Sequence, residues 1–252
     1  MPFFNDVHHV RPSIDGNLLV TSTGLDAVFE VSTDGAIVRE WGVLGQSPWE
    51  RFSRDIDYRY VATTKPHRSH PNHTFYLNGD LWVTRFHQRD AVSLTSNKPG
   101  IPVGIEGCHD GDVYEGKVYF TTVDGTVVVA DPSIRTPRQS IDLNGVDNPS
   151  GSLLGWCRGV AAAGDGLVWI GFTRVRETRM TENLRWARDI VRPQSRNTRV
   201  SLYDLRLGKL LLEIDLEKHG MNAVFGIYVD PGPIANVAPQ RASNAGDLTM
   251  AG

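Results

Sequence analysis

No apolar run in this chain approaches the ~18 residues that a membrane-spanning helix needs. The first residues, Met1-Pro2-Phe3-Phe4-Asn5-Asp6, carry neither a basic stretch nor an apolar core, so they do not read as a signal peptide. Cysteine is scarce, with only Cys108 and Cys157 in 252 residues. Two thiols are too few for a disulfide framework and fit a reducing compartment better. Positive charge is not in excess: the formal net charge is −3, which argues against a nucleic-acid surface. These absences lead to an expectation of a soluble cytoplasmic protein with no membrane or nucleic-acid partner. Walker loop, Rossmann fingerprint, His-Glu-x-x-His zincin and Gly-x-Ser-x-Gly elbow are all missing.

A repeated phrase fills the space that those motifs leave. Its copies are Asp15-Gly16-Asn17-Leu18-Leu19-Val20-Thr21, Asn78-Gly79-Asp80-Leu81-Trp82-Val83-Thr84, Glu115-Gly116-Lys117-Val118-Tyr119-Phe120-Thr121 and Asp165-Gly166-Leu167-Val168-Trp169-Ile170-Gly171. Each is a glycine turn followed by a strand of alternating apolar residues, the pattern of half-buried antiparallel sheet. Strands flanking each copy bring the unit to four. Repeated four-stranded units define an all-β chain, a β-propeller. Four complete units are expected, and Ala223 to Val229 reads as the first strand of a fifth. Such a ring is incompletely closed. The open readings are a short form of a longer family, a four-bladed ring, or a sheet edge completed by a second copy in a homo-oligomer.

A single domain over residues 1–230 is expected, with insertions at 42–69 and 177–197. The second insertion, with Leu184, Trp186, Ala187, Ile190 and Val191, reads as a short helix. Each insertion reads equally as a binding loop or as a surface excursion. Residues 231–252, rich in Pro, Ala, Asn and Gly, are expected to be disordered.

In a propeller, the starts of the inner strands and the ends of the second strands reach one axial face. His9, His73, His109 and Arg158 lie six to eight residues before the repeated glycines, which makes them candidates for that face. Three imidazoles, His9, His73 and His109, form the expected ligand set for a divalent metal: zinc, iron, nickel or copper. The competing reading is hydrogen bonding between blades. Arg85, Arg158 and Arg174, with Asn222, are the expected binders of a small anionic ligand; the competing reading is ion pairs at blade junctions. His87 or Asp110 is the candidate for proton transfer, alongside Arg158 in the catalytic group. Cys157 reads either as a nucleophile or as an inert buried thiol. Trp82, Tyr119 and Trp169 read as sheet-packing core.

The run from Asp15 to Val28 with the Asp34-Gly35 turn resembles the blades of the NHL, gluconolactonase, streptogramin B lyase and arylsulfotransferase-like propeller group. His70-Pro71-Asn72-His73, Cys108-His109-Asp110-Gly111 and Gly155-Trp156-Cys157-Arg158-Gly159 look like phrases of an uncharacterised bacterial propeller family. The resemblance covers about residues 8–230 and implies architecture; its members include hydrolases, lyases, transferases and scaffolds. No acidic calcium set of the gluconolactonase kind matches here, whereas one histidine per blade looks like propeller enzymes that hold an axial metal. The leading expectation is therefore a metal-dependent lyase or hydrolase acting on a small anionic molecule. The alternatives are a non-catalytic propeller binding a protein or peptide, and a metal-free His/Arg transferase.

Overall fold

The glycine turns close hairpins as their sequence demands: Gly16, Gly79, Gly116 and Gly166 take φ of 72° to 82°, open to glycine without steric cost. The computed structural model describes residues 1–133, 139–146, 148, 151–164, 166–175 and 195–229. The expected helix around 184–191 and the tail from 231 lie outside the described residues. Four four-stranded antiparallel sheets are formed in chain order. The first holds β1 (Val7–Pro12), β2 (Leu18–Ser22), β3 (Ala27–Val31) and β4 (Ile37–Gly42). The second holds β5 (Pro71–Leu77), β6 (Asp80–Arg85), β7 (Asp90–Ser93) and β8 (Ile101–Pro102). The third holds β9 (Cys108–Tyr114), β10 (Lys117–Thr122), β11 (Thr126–Ala130) and β12 (Gln139–Asp142). The fourth holds β13 (Trp156–Gly164), β14 (Leu167–Thr173), β15 (Arg199–Asp204) and β16 (Lys209–Asp215). Among the described residues the only helical segments are short 3-10 turns, and no helix is long and apolar enough to cross a membrane.

Each sheet packs on the next through one face, because strand residues alternate between faces. Leu19 and Val28 of the first sheet meet Leu81 and Val83 of the second. Phe75 and Trp82 of the second meet Val118 and Phe120 of the third. Tyr119 and Val127 of the third meet Val168, Ile170 and Phe172 of the fourth. The inner strands β1, β5, β9 and β13 are neighbours in that order, which is the arrangement of propeller blades. Leu19, Trp82 and Tyr119 thus fill the same place in successive interfaces. Trp169, at the same place in β14, faces away from the third sheet and is half-buried, so it is not part of an inter-sheet core.

Two further segments finish the described structure. The insertion at 42–69 is neither a lid nor a free excursion: Trp49, Phe52, Tyr58 and Val61, with Phe3 and Phe4, cover Val20, Phe29 and Val31 on the free face of the first sheet. The expected fifth-unit strand forms no ladder. Instead residues 222–229 bridge the fourth sheet to the first. Val224 exchanges two hydrogen bonds with Thr173 Oγ1 (2.9 and 3.2 Å), and Tyr228 donates its hydroxyl proton to Val10 O at 2.9 Å.

Candidate functional site

The four inner strands carry a β-bulge at the same place. His8 and His9 share the opposing residue Thr21; Asn72 and His73 share Thr84; His109 and Asp110 share Thr121; Arg158 and Gly159 share Gly171. Two residues against one bend the strand and re-aim both side chains. The threonine hydroxyls absorb backbone groups that the bulges release from the ladder. His73 N donates to Thr84 Oγ1 at 3.0 Å, Asp110 N donates to Thr121 Oγ1 at 3.2 Å, and Thr84 Oγ1 donates to His109 O at 2.7 Å.

The bulges sort the polar residues into two tiers. The upper tier is His8, Asn72, His109 and Arg158; the lower is His9, His73, Asp110 and Gly159. This corrects the sequence register, which treated His9, His73, His109 and Arg158 as equivalent: His109 stands beside Asn72 and His8, and Asp110 is the partner of His9 and His73. In the lower tier the His9 and His73 rings lie 3.8 Å apart, His73 Nε2 is 4.0 Å from Asp110 Oδ1, and Asp110 Oδ2 accepts the Gly159 N–H. In the upper tier His8 Nδ1 meets Asn72 Oδ1 at 2.6 Å, and the His8 and His109 rings lie 5.9 Å apart and nearly parallel. His109 Nδ1 links the tiers by donating to Asp110 Oδ2 at 2.8 Å.

The loop before β5 adds more imidazoles. Asp26, buried and paired with Arg51 at 3.0 Å, accepts the N–H groups of Arg68, Ser69 and His70. That grip holds His70 at φ 58°, a strained value for a side-chain-bearing residue. His67 Nδ1 then lies 3.0 Å from His70 Nδ1, and the His70 ring is 4.9 Å from His8 and 5.8 Å from His87. Seven of the eight histidines therefore gather on this face, while His219 lies in an exposed 3-10 turn.

Burial sets the electrostatics. It pushes His9 down to about 2, with the neighbouring His73 adding to the effect, and pushes His73 down to about 4 against the opposing pull of Asp110. Burial also lowers His109. For Asp110 burial alone would raise the pKa, but His109, His73 and the Gly159 N–H outweigh it and hold the carboxyl well below the usual range. His9, His73 and His109 thus favour the neutral form around the Asp110 carboxylate.

The expected metal trio does not fit as a trio. His9 Nδ1 accepts the Thr74 N–H at 3.2 Å, so its proton sits on Nε2 and the ring has no lone pair left for a cation. Among the described residues, no group of three or more His, Cys, Asp and Glu side chains stands in place to hold a metal ion. His109 Nε2 and His73 Nδ1 are buried and have no hydrogen-bond partner among the described residues. Asp110 directs Oδ2 at His109 and Gly159 and Oδ1 toward His73, and its charged form is favoured, so it orients the His109 ring.

The arginines separate clearly. Arg85 grips Asp90, its cross-strand neighbour in the same sheet, with Nε (2.8 Å) and Nη2 (2.6 Å) and donates Nη1 to Val43 O, so its guanidinium is taken up by an ion pair within the second sheet. Arg174 pairs with Glu217 at 2.7 Å and bonds Asn197. Asn222 is exposed, its carbonyl accepting from Thr198 Oγ1. Arg158 differs. Among the described residues no carboxylate lies within ion-pair distance, its Nε is buried without a partner, and the rings of Trp156 and Phe225 flank it at 6.0 and 5.7 Å. Cys157 and Cys108 are fully buried free thiols whose pKa burial pushes well up, which removes the nucleophile reading. His87 is exposed, at the rim beside His70 and Phe86.

Sequence reasoning offers His8 only as an alternative to His9 at the axial face and gives no site role to Asn72, Asp6, Tyr228 or Phe225. The adjacent pairs His8-His9 and Asn72-His73 were the available signal: a strand alternates faces, so two neighbouring polar residues aimed one way require a bulge. Tyr228, stacked on His9 at 6.1 Å, comes from a segment whose docking no local pattern announces.

Fold and site together define a β-propeller whose axial face carries a buried polar cluster. No protein-family model matches the chain, and no curated protein matches it. Among solved structures it is similar to a protein of unknown function from Bacteroides caccae, with TM-score 0.53 and 12% identity over 85% of this chain and 69% of that one. It is also similar to glutaminyl cyclase from Myxococcus xanthus (TM-score 0.48, 11% identity, 86% and 78%). Virginiamycin B lyase from Staphylococcus aureus is a further neighbour (0.44, 15%, 66% and 52%); the chain spans about half of that enzyme's length. At such identities the likeness is one of fold.

Proposed function

We propose that the chain is a metal-dependent enzyme that acts on a small anionic molecule at the axial face, by lyase or hydrolytic chemistry. The observation that carries this reading is Arg158. A guanidinium in a partly dry cluster needs a counter-charge; Asp110 and Asp6 act on Arg158 only from beyond ion-pair distance, and an anionic ligand group would supply a direct partner. Arg158 stands in the same tier as His109, whose Nε2 has no hydrogen-bond partner among the described residues. No three such side chains converge among the described residues, so a divalent ion (zinc, iron, nickel or copper) would rest on fewer protein ligands, with His109 Nε2 the nitrogen of this tier open to it. Such an ion, when bound, acts as a Lewis acid or activates water. Arg158 fixes the anionic group. Asp110 holds the His109 ring with its proton on Nδ1. His87, at the solvent rim, is the group placed to exchange a proton with bulk water.

The test is calorimetric titration of the protein with small carboxylates, phosphates and sulfate esters, followed by turnover assays on whichever class binds. At least one class is expected to bind, with a loss of tenfold or more in Arg158→Gln and no loss in Arg174→Gln. Equal binding by Arg158→Gln, or no binding by any class, would sink the reading.

A further inference from the structure

We propose that His8 is the second cation of the anion seat, in the same tier as Arg158, and that the Asp6 carboxylate fills the seat until an oxyanion of the ligand displaces it. This rests on the anionic-ligand half of the proposed function and needs no metal.

Both ring nitrogens of His8 face acceptors. Asn72 Nδ2 donates to Cys108 O at 3.1 Å, which turns Asn72 Oδ1 toward His8. That oxygen accepts the His8 Nδ1–H at 2.6 Å. On the other side of the ring, His8 Nε2 lies 3.3 Å from Asp6 Oδ1. A neutral ring with its proton on Nδ1 would aim a lone pair at a carboxylate oxygen, which is repulsive. A proton on Nε2 turns that repulsion into a charge-assisted hydrogen bond. Asp6 is ionised, because the hydrogen bond from His8 outweighs burial and holds its carboxyl down at about 2. An imidazole that donates from both nitrogens is a cation. The rings beside it stay neutral: burial first, then His8, pushes His70 down to about 2, and burial lowers His109.

Asp6 holds this place loosely. Its side chain is 41% exposed against 11% for His8. Its backbone sits at φ 49°, a left-handed value uncommon for a residue with a side chain. Arg158 feels the Asp6 charge, yet only from beyond ion-pair distance. Asp6 therefore neutralises His8 by contact and leaves Arg158 without a direct partner. The tier is narrow: the His8 and His109 rings lie 5.9 Å apart although they come from the first and third sheets. A small oxyanion spans such a space, taking His8 Nε2–H on one oxygen and the Arg158 guanidinium on another. A carboxylate or phosphoryl group has the two or more oxygens that this requires. Asp6, tied to its own backbone, reaches His8 alone.

The experiment titrates the full chain, free of any histidine tag, with inorganic phosphate and with acetate in a calorimeter. Thermal unfolding of each variant checks its fold. Asp6→Asn keeps the shape and removes the competing charge, so it should bind the anion about tenfold more tightly than the wild type. His8→Gln should bind it about tenfold more weakly or worse. Adding His8→Gln to Asp6→Asn should abolish the gain. Asp34→Asn, in the exposed turn between β3 and β4, should change nothing. Nitrogen-15 NMR at neutral pH should show His8 protonated on both nitrogens and His109 on one. Binding seen in Asp6→Asn alone would also support the competition. Anion binding that depends on Arg158, but is neither tightened by Asp6→Asn nor weakened by His8→Gln, overturns this seat while the anionic-ligand reading stands. No binding of either anion by the wild type or by Asp6→Asn overturns both. Should His8→Gln fail to fold, Asp6→Asn, at the exposed end of the pair, decides alone.

Discussion

Asp110 Oδ2 receives the Nδ1–H of His109 at 2.8 Å, although the two residues are adjacent in the chain. Only the bulge opposite Thr121 lets neighbouring side chains meet this way in a strand. The same oxygen takes the Gly159 N–H from the next blade, so one carboxylate fixes an imidazole tautomer and ties two sheets together. Asp110→Asn keeps the shape and removes the charge. Removing one partner of a buried pair costs about 3–5 kcal/mol, and the amide oxygen retains part of the bonding, so a loss of about 2 kcal/mol is expected. Nitrogen-15 NMR should show the His109 proton fixed on Nδ1 in the wild type and redistributed in the variant. An unchanged tautomer pattern would contradict the orienting role.

The threonines opposite the bulges are the second point of control. Thr121→Val and Thr84→Val keep volume and β-branching but remove the hydroxyls that accept from Asp110 N and His73 N. Both hydroxyls are fully buried, so each bulge amide is left without an acceptor, at a cost of about 1–3 kcal/mol. Denaturant unfolding measures the loss, and amide exchange at residue 110 or 73 should quicken in the matching variant. Loss below about 0.5 kcal/mol would mean that the ladder supplies another partner.

How much of this was legible beforehand follows from the same bulges. The strands Leu18–Ser22, Ala27–Val31, Thr126–Ala130, Leu167–Thr173 and Arg199–Asp204 are legible in the sequence, because alternation and glycine turns mark them. The inner strands are harder to place: β9 starts at Cys108, within the polar phrase that carries the site residues. Their first residues are polar and break the alternation, since two residues occupy one register position. Site residues lie inside strands that a period of two cannot recognise, and the tiers are invisible for the same reason. Arg85 misled for a different reason: its partner Asp90 lies five residues on across a hairpin, and no sequence pattern distinguishes that ion pair from a free cation.

Gly171 is the fourth member of the set Thr21, Thr84, Thr121 and Gly171, and the only one without a side chain. Its place is taken by Val224 and the Arg158 carbonyl, which any Cβ at 171 would strike. Gly171→Ala should therefore displace the bulge that aims Arg158 and loosen residues 222–229. The expected result is a loss of about 1–3 kcal/mol and a weakened anion affinity of the same sign as in Arg158→Gln. Gly145→Ala, with open space around it, is the control that should leave both unchanged.

Acid should unfold this protein through its histidines before its carboxylates. His9 and His73 titrate at about 2 and about 4 when folded, while an unfolded imidazole takes its proton near 6.5. Between those values the unfolded chain binds protons that the folded one refuses. Stability is therefore intact above ~6.5 and is lost as the pH falls toward the folded values, by about 1.4 kcal/mol per pH unit for each ring. Two rings give at most about 3 kcal/mol per unit between pH ~6 and ~4.5. Asp110 acts in the same direction but later: its depressed pKa preserves its contribution until the pH drops below ~3.9. Urea unfolding at pH 7.5, 6.5, 5.5 and 4.8 measures the slope. His73→Gln, which cannot titrate, should reduce it by about one proton. A wild-type profile that stays flat from pH 7 to 5 would show that these imidazoles take up protons as readily as in the unfolded chain, against a buried, closely packed pair.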